Sequence, residues 1–423
     1  MAMTAAAAPS GSRILPPVRK APPRVVTTMA LAQLGLFFAL LTPVMASLTI
    51  KVQSLVGEDG VVAALGTVTS IGAIAAFVAN PIFGRLSDRT TGRFGRRRPW
   101  LVIGAVGLTA CLLVIAVAPN VLVITLAWFA AQLLANAALA ALTATIADQV
   151  PPLQRGKVSG LIGVMQQVGI LGSAYAAQFL GSDMLLLFMV PGLVGLALTL
   201  LFAVVLPDKQ LPQRPPSEGF RTILKTFVVS PRKHPDFAFA WVSRFMIILA
   251  SFMFTTYRLL YMQHELALSI ADATAVMATG VLLYTIMTAL TGQAAGWLSD
   301  RLQRRKVFVA AATLVFGIGM VLLVQADTVD GFYLAEVVLG IGMGVYMGVD
   351  LALVIDVLPD PDDSAKDLGV LNIANAGPQT LAPALGALLI GIGGGHNYDL
   401  LLGSAAAICV VGALAILPIK KVR

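Results

Sequence analysis

Gly84-Arg85-Leu86-Ser87-Asp88-Arg89 returns as Gly296-Trp297-Leu298-Ser299-Asp300-Arg301, an offset of 212. Just beyond, Arg96-Arg97-Arg98 returns as Arg304-Arg305-Lys306, an offset of 208. Asp148 and Pro151 return as Asp356 and Pro359 at that same second offset. The offset changes once, so the first copy carries an insertion of four residues, at about Thr91–Phe94. Each copy lies between two long apolar runs. The spacing therefore predicts a chain made of two duplicated halves, both in the same orientation.

The flanking runs define the class. Of 423 residues, 58% are hydrophobic and 12% charged, and mean hydropathy is +0.87. Soluble proteins average roughly 45–50% apolar and about 25% charged. This excludes a soluble enzyme and a disordered chain. A membrane helix needs about 20 apolar residues. Twelve runs qualify: 28–53, 60–84, 99–118, 121–147, 156–180, 184–206, 237–263, 272–296, 305–325, 332–357, 368–392 and 400–419. The expected fold is an all-α membrane protein of twelve transmembrane helices in two six-helix bundles. The bundles span 28–206 and 237–419. Residues 1–27 form a tail, 207–236 a Pro-rich central loop with a short amphipathic helix near 219–229, and 420–423 a second tail.

Charge gives the orientation. Net charge is +8. In a soluble chain that excess suggests nucleic acid; in an apolar one it marks loops on the inner face. With the N-terminus inside, all of the 29 Lys and Arg except Lys51, Arg244 and Arg258 fall on inner segments. One miscounted helix would destroy that alternation. The chain is thus expected in the cell (inner) membrane, multi-pass, with both termini cytoplasmic and no cleavable signal pattern. The lipid bilayer is its medium, and nucleic acid is not a partner.

Several chemistries are missing from the sequence. It has no Gly-x4-Gly-Lys-Ser/Thr phosphate cradle. Cys111 and Cys409 lie inside apolar runs, and His234, His264 and His396 form no ligand cluster. We expect no enzyme activity, no cofactor and no metal.

The loop Ser87-Asp88-Arg89-Thr90-Thr91-Gly92-Arg93-Phe94-Gly95-Arg96-Arg97-Arg98-Pro99, echoed after the eighth run, resembles the major facilitator superfamily. Leu41-Thr42-Pro43, Ala147-Asp148 and the stretch Gly369–Gln379 resemble its glycoside–pentoside–hexuronide branch, especially sucrose-transporter-like members. The resemblance implies a carrier that exposes a central site alternately to the two sides. Plant sucrose–proton symporters carry a carboxylate and then an Arg in helix 4. Here Gln132 and Thr143 stand at those positions. Any proton coupling must then use another carboxylate.

In the inner loops, acid and base recur in register. Asp88, Arg89, Arg97, Arg98, Asp148 and Arg155 in the first half, with Asp300, Arg301 and Asp356 in the second, form a candidate cytoplasmic gate. A carboxylate there can hold a guanidinium or a helix N-terminus. Such contacts either lock one arrangement of the bundles or serve only as topology determinants.

Ionisable groups at membrane depth are costly and usually mark function or a pair. Arg244 and Arg258 lie in helix 7, Glu336 and Asp350 in helix 10, and the interval within each pair is the same. It corresponds to about 21 Å of helix, close to four turns, so each pair shares a face. The two helices run in opposite directions. Arg244 should meet Asp350 towards the cytoplasm, and Arg258 should meet Glu336 towards the outside. Asp350 with Arg244 is the candidate proton or cation site, or else a permanent salt bridge. Arg258 and Glu336 form an outer charge pair, or else snorkel to the interface.

Gln132, Asn136, Gln166, Gln167, Tyr346, Asn375 and Gln379 are the candidate substrate-binding side chains. Amides in a dry helix must be satisfied. They either join helices or bind a hydroxyl-rich solute. The expected function is secondary active transport of a small polar solute, a sugar or glycoside, by proton symport and as a monomer. The alternatives are a proton-driven drug or metabolite exporter and a non-transporting membrane receptor.

Overall fold

The structure is a computed structural model that describes residues 20–211, 232–357, 364–394 and 396–420. The predicted amphipathic helix near 219–229 and most of both tails lie outside the described residues.

Among the described residues twelve α-helices follow one another: α1 Pro23–Thr42, α2 Leu48–Asp88, α3 Arg98–Ala116, α4 Val121–Gln149, α5 Pro152–Leu180, α6 Met184–Val205, α7 Pro235–His264, α8 Ile270–Leu302, α9 Arg305–Val324, α10 Val329–Val357, α11 Ser364–Gly391 and α12 Tyr398–Ile416. A π-helical turn at Pro43–Ser47 joins α1 to α2. Proline stands in the first turn of α1, α3, α5 and α7, where its missing N–H costs no bond and its fixed φ suits the helix. For this reason α1 starts at Pro23 and α7 at Pro235, ahead of the expected 28 and 237. Asn120, Asp183 and Asn397 cap α4, α6 and α12 by accepting from Val123, Leu186 and Leu400 N–H, satisfying donors that a helix start leaves open.

The expected first and second runs form one helical stretch, Pro23–Asp88, of 66 residues. The chain breaks helical geometry at Gly57, with φ 74° and ψ −174°. Only glycine takes such a conformation without steric cost. Ten helical runs among the described residues are long and apolar enough to cross a membrane. Counting the Gly57 break, they carry eleven of the twelve expected spans. The remaining span is α11, 28 residues long and interrupted by Pro378 and Pro383.

The packing repeats with a step of six helices. In the first half α1 packs on α5 and α6, α2 on α4, and α3 on α4 and α6. In the second, α7 packs on α11 and α12, α8 on α10, and α9 on α10 and α12. The halves meet along α2–α11 and α5–α8, two contacts that the same step interconverts. Large apolar side chains such as Leu122, Leu126, Phe179 and Val204 face outward, as lipid rather than water would allow. At the tight α8–α10 contact a Cβ on Gly344 would run into the backbone of Thr288. Small residues there let the two backbones close.

Candidate functional site

The loop between α2 and α3 folds into a buried ion network. Arg97 is 3% exposed. Its Nε donates to Asp148 Oδ2 at 2.9 Å, its Nη2 meets Asp88 Oδ1 at 2.6 Å, and its Nη1 donates to Ser87 Oγ. Arg96 Nη2 reaches the other oxygen of Asp148 at 2.5 Å. Burial opposes the Arg97 charge, but hydrogen bonding and attraction from Asp148, then Asp88, outweigh it and raise its pKa above the ordinary value. Asp208 Oδ2 accepts from the N–H groups of Arg97 and Arg98, at 2.7 and 2.8 Å, capping α3.

The second copy is simpler and wetter. Arg305 meets Asp356 at 2.5 Å and Asp300 at 3.2 Å. Other predicted gate residues act locally. Arg98 donates to the Leu206 carbonyl at 2.6 Å, and Arg155 to the carbonyls of Val150 and Ala147. Arg301 lies over the Trp297 ring at 5.5 Å. Arg89 closes α2, its N–H bonded to the Arg85 carbonyl. Arg96, Asp208 and Arg305 were not among the predicted gate residues. Arg305 was findable, since it follows Arg97 at the second offset of the repeat. Asp208 carried no such signal. The ion pairs above each tie helices of one bundle.

At membrane depth the inner pair forms as a three-helix cluster. Arg244 Nη1 meets Asp350 Oδ2 at 2.5 Å, and its Nε donates to Asn375 Oδ1 at 2.8 Å. This fastens α7 to α10 and α11. Asp350 is buried, and Tyr346, one turn earlier, is buried too. The outer pair is looser: Arg258 Nη2 stands 3.3 Å from Glu336 Oε1. Both residues are buried, so they do not snorkel.

The amides divide. Asn136 donates to the Gln132 carbonyl at 2.9 Å, one turn away in α4. Gln33 Nε2 donates to Gln166 Oε1 at 3.1 Å, joining α1 to α5. Asn375 serves Arg244. Gln167 instead lines a cavity of about 740 Å³ between α5, α8 and α10, with Gly163, Thr288, Gln293, Met347 and Gly348 among its walls. Gln379, one turn beyond Asn375, is half-buried. Gln33 and Gln293 were not predicted. Trp128 and Tyr257 are buried packing residues.

The cavity lies towards the ends of α5, α8 and α10 that carry the basic loops. At the opposite end the halves touch. Gln53 Nε2 donates to Gln263 Oε1 at 3.0 Å, and Gly66 of α2 abuts Tyr257 and Ala387. Leu86, Leu290 and Trp297, near the basic end, are exposed. Among the described residues, contacts across the seam close the Gly57 end, and the cavity occupies the basic end.

A duplicated two-bundle helical protein, with a cavity on the seam and ion pairs inside each bundle, is built as a multi-pass membrane carrier. The sequence profile of the Major Facilitator Superfamily matches residues 25–295 and 240–423, and the chain belongs to that family. Among curated relatives, the putative multidrug resistance protein MdtD of Pectobacterium atrosepticum is 29% identical over 151 residues, 36% of this chain and 31% of the relative. The protein of the same name from Klebsiella pneumoniae strain 342 is 29% identical over 153 residues, 35% and 32%. The matched part thus covers about a third of these relatives. The solved nucleoside transporter NupG superposes with TM-score 0.72 at 15% identity, covering 94% of this chain and 100% of that one. A bacterial homologue of the human lysosomal transporter Spinster, inward-facing and unoccupied, superposes with TM-score 0.70 at 13% identity, covering 93% and 96%. These two likenesses establish the fold.

Proposed function

We propose that the chain is a proton-coupled secondary active transporter of a small polar solute, working as a monomer with both termini cytoplasmic in the inner membrane. The observation that carries this reading is the Arg244–Asp350–Asn375 cluster, with contacts of 2.5 and 2.8 Å between three helices. It offers one carboxylate whose charge decides whether α7 and α10 stay tied. Protonating Asp350 removes the ion pair and frees Arg244. Ionising it restores the tie. The duplicated inner networks would hold each bundle rigid while the two rock about the seam. The glycoside–pentoside–hexuronide resemblance favours a sugar or glycoside taken up by symport.

A second reading, export of an amphipathic drug or metabolite, has its own support. The curated relatives bear a multidrug resistance name. Several amides expected to hold sugar hydroxyls bond to the protein instead, and the cavity wall is rich in Gly with Met347 and Trp297.

A thermal-shift screen on purified protein separates the two readings, using sugars, glycosides and amphipathic cations. A ligand bound to the fold raises Tm by mass action. Proteoliposomes loaded with the selected compound should then show flux that follows a pH gradient. Flux indifferent to that gradient would refute proton coupling.

A further inference from the structure

We propose that Glu336 is a second proton-binding carboxylate, sealed inside the second bundle with Arg258 as its counter-charge. Glu336 is 0% exposed. Among the described residues, neither of its carboxylate oxygens accepts a hydrogen bond, and the Nε of Arg258 finds no acceptor. Their nearest approach is the 3.3 Å contact between Arg258 Nη2 and Oε1. The guanidinium instead lies 4.7 Å from the centroid of the Phe254 ring. Among the described residues, the ionisable groups that interact electrostatically with the carboxylate are Arg258 and Tyr261 from α7 and Tyr284 from α8. The Tyr261 hydroxyl is committed to the Leu323 carbonyl at 2.7 Å. Gly280 leaves the space that the carboxylate stem fills, since a Cβ there would lie 3.2 Å from Glu336 Cγ.

A static brace has other geometry. Permanent Arg–carboxylate bridges in low dielectric need short, bidentate contacts and satisfied remaining donors. A buried polar group without partners calls for a functional account. With no hydrogen bond to either oxygen among the described residues, the ionised carboxylate rests on the single 3.3 Å contact to Arg258. Proton binding converts the carboxylate to a carboxylic acid. The pair then moves from zero net charge to one positive charge, held by Arg258 against the Phe254 face. Release reverses both changes.

The role of that proton in transport rests on the carrier reading above; the binding itself does not. The test is infrared difference spectroscopy of the full-length protein in liposomes, stepped between roughly pH 8 and pH 5, with no solute added. We expect a carboxylic-acid band that exchanges slowly in deuterated water, shifts when glutamate is labelled with carbon-13, persists in Asp350→Asn and disappears in Glu336→Gln. Of the other three glutamates, Glu58 and Glu265 are exposed and should exchange fast, while Glu218, outside the described residues, is removed by Glu218→Gln. The labelled wild type and Glu218→Gln both keep Glu336, so together they decide the matter even if Glu336→Gln folds poorly. Absence of a slowly exchanging glutamate band would overturn the proposal. Loss of coupling in Asp350→Asn with the glutamate band intact, or the reverse, keeps the two readings apart.

Discussion

The inner and outer charge pairs stand on the same two helices with the same spacing, yet they are built differently. Arg244 is held by two acceptors on two helices and keeps 17% of its side chain exposed. Arg258 is less exposed, and its partner accepts no hydrogen bond among the described residues. The difference teaches that register alone places charges opposite each other, while the surrounding side chains decide what the pair can do. A pair that keeps some exposure can exchange protons with water directly. A sealed pair must wait for the protein to move.

The sharpest way to break this comparison is to remove Arg244. Arg244→Ala leaves Asp350 buried without its cation, and breaking such a pair costs about 3–5 kcal/mol. Its Tm should fall far more than that of Asp350→Asn, which keeps a polar partner for Arg244. Equal losses would mean that the cluster is a plain strut. Next comes the inner loop of the first half. Arg97→Ala removes a guanidinium bound to Asp148, Asp88 and Ser87, and should cost about 2–3 kcal/mol given the half-exposed Asp88. Transport rate should drop more than ligand affinity. Arg305→Ala in the second half should cost about 1 kcal/mol or less, because Asp300 and Asp356 are exposed. Similar losses at the two sites would erase the asymmetry between the copies.

The smallest effect concerns Glu265, just beyond α7. The residue is exposed overall, but the partial burial of its carboxyl raises its pKa, and repulsion from Asp399 and Asp327 adds to this. The folded state therefore holds a proton more tightly than the unfolded chain. Stability from this group is present below the ordinary carboxylate range and is lost as pH rises through the raised value. Glu265→Gln should raise Tm slightly at neutral pH and leave it unchanged in acid.

The repeat was the most legible feature. A six-helix step in the packing follows from two copies of the Gly-x-Leu-Ser-Asp-Arg loop, and the same offset links Arg97 to Arg305. The two charge pairs were legible because ionisable residues are rare in apolar runs, and an equal interval on antiparallel helices forces a match. The roles of the amides were not. Asn136 bonds within its own helix and Gln166 meets Gln33 of α1, a pairing set by side-chain direction rather than by spacing. Asp208 was hidden because an N-cap at long range leaves no local pattern. The Gly57 break falls in the gap expected between the first two runs, 54–59; what the sequence did not show is that the chain stays helical on both sides of it.

The most direct measurement compares gradient-driven flux with exchange in proteoliposomes, for wild type and Asp350→Asn, using the compound selected by thermal shift. The account predicts that the variant loses concentrative, pH-driven flux while exchange across the membrane persists. Undiminished pH-driven flux in Asp350→Asn would contradict it.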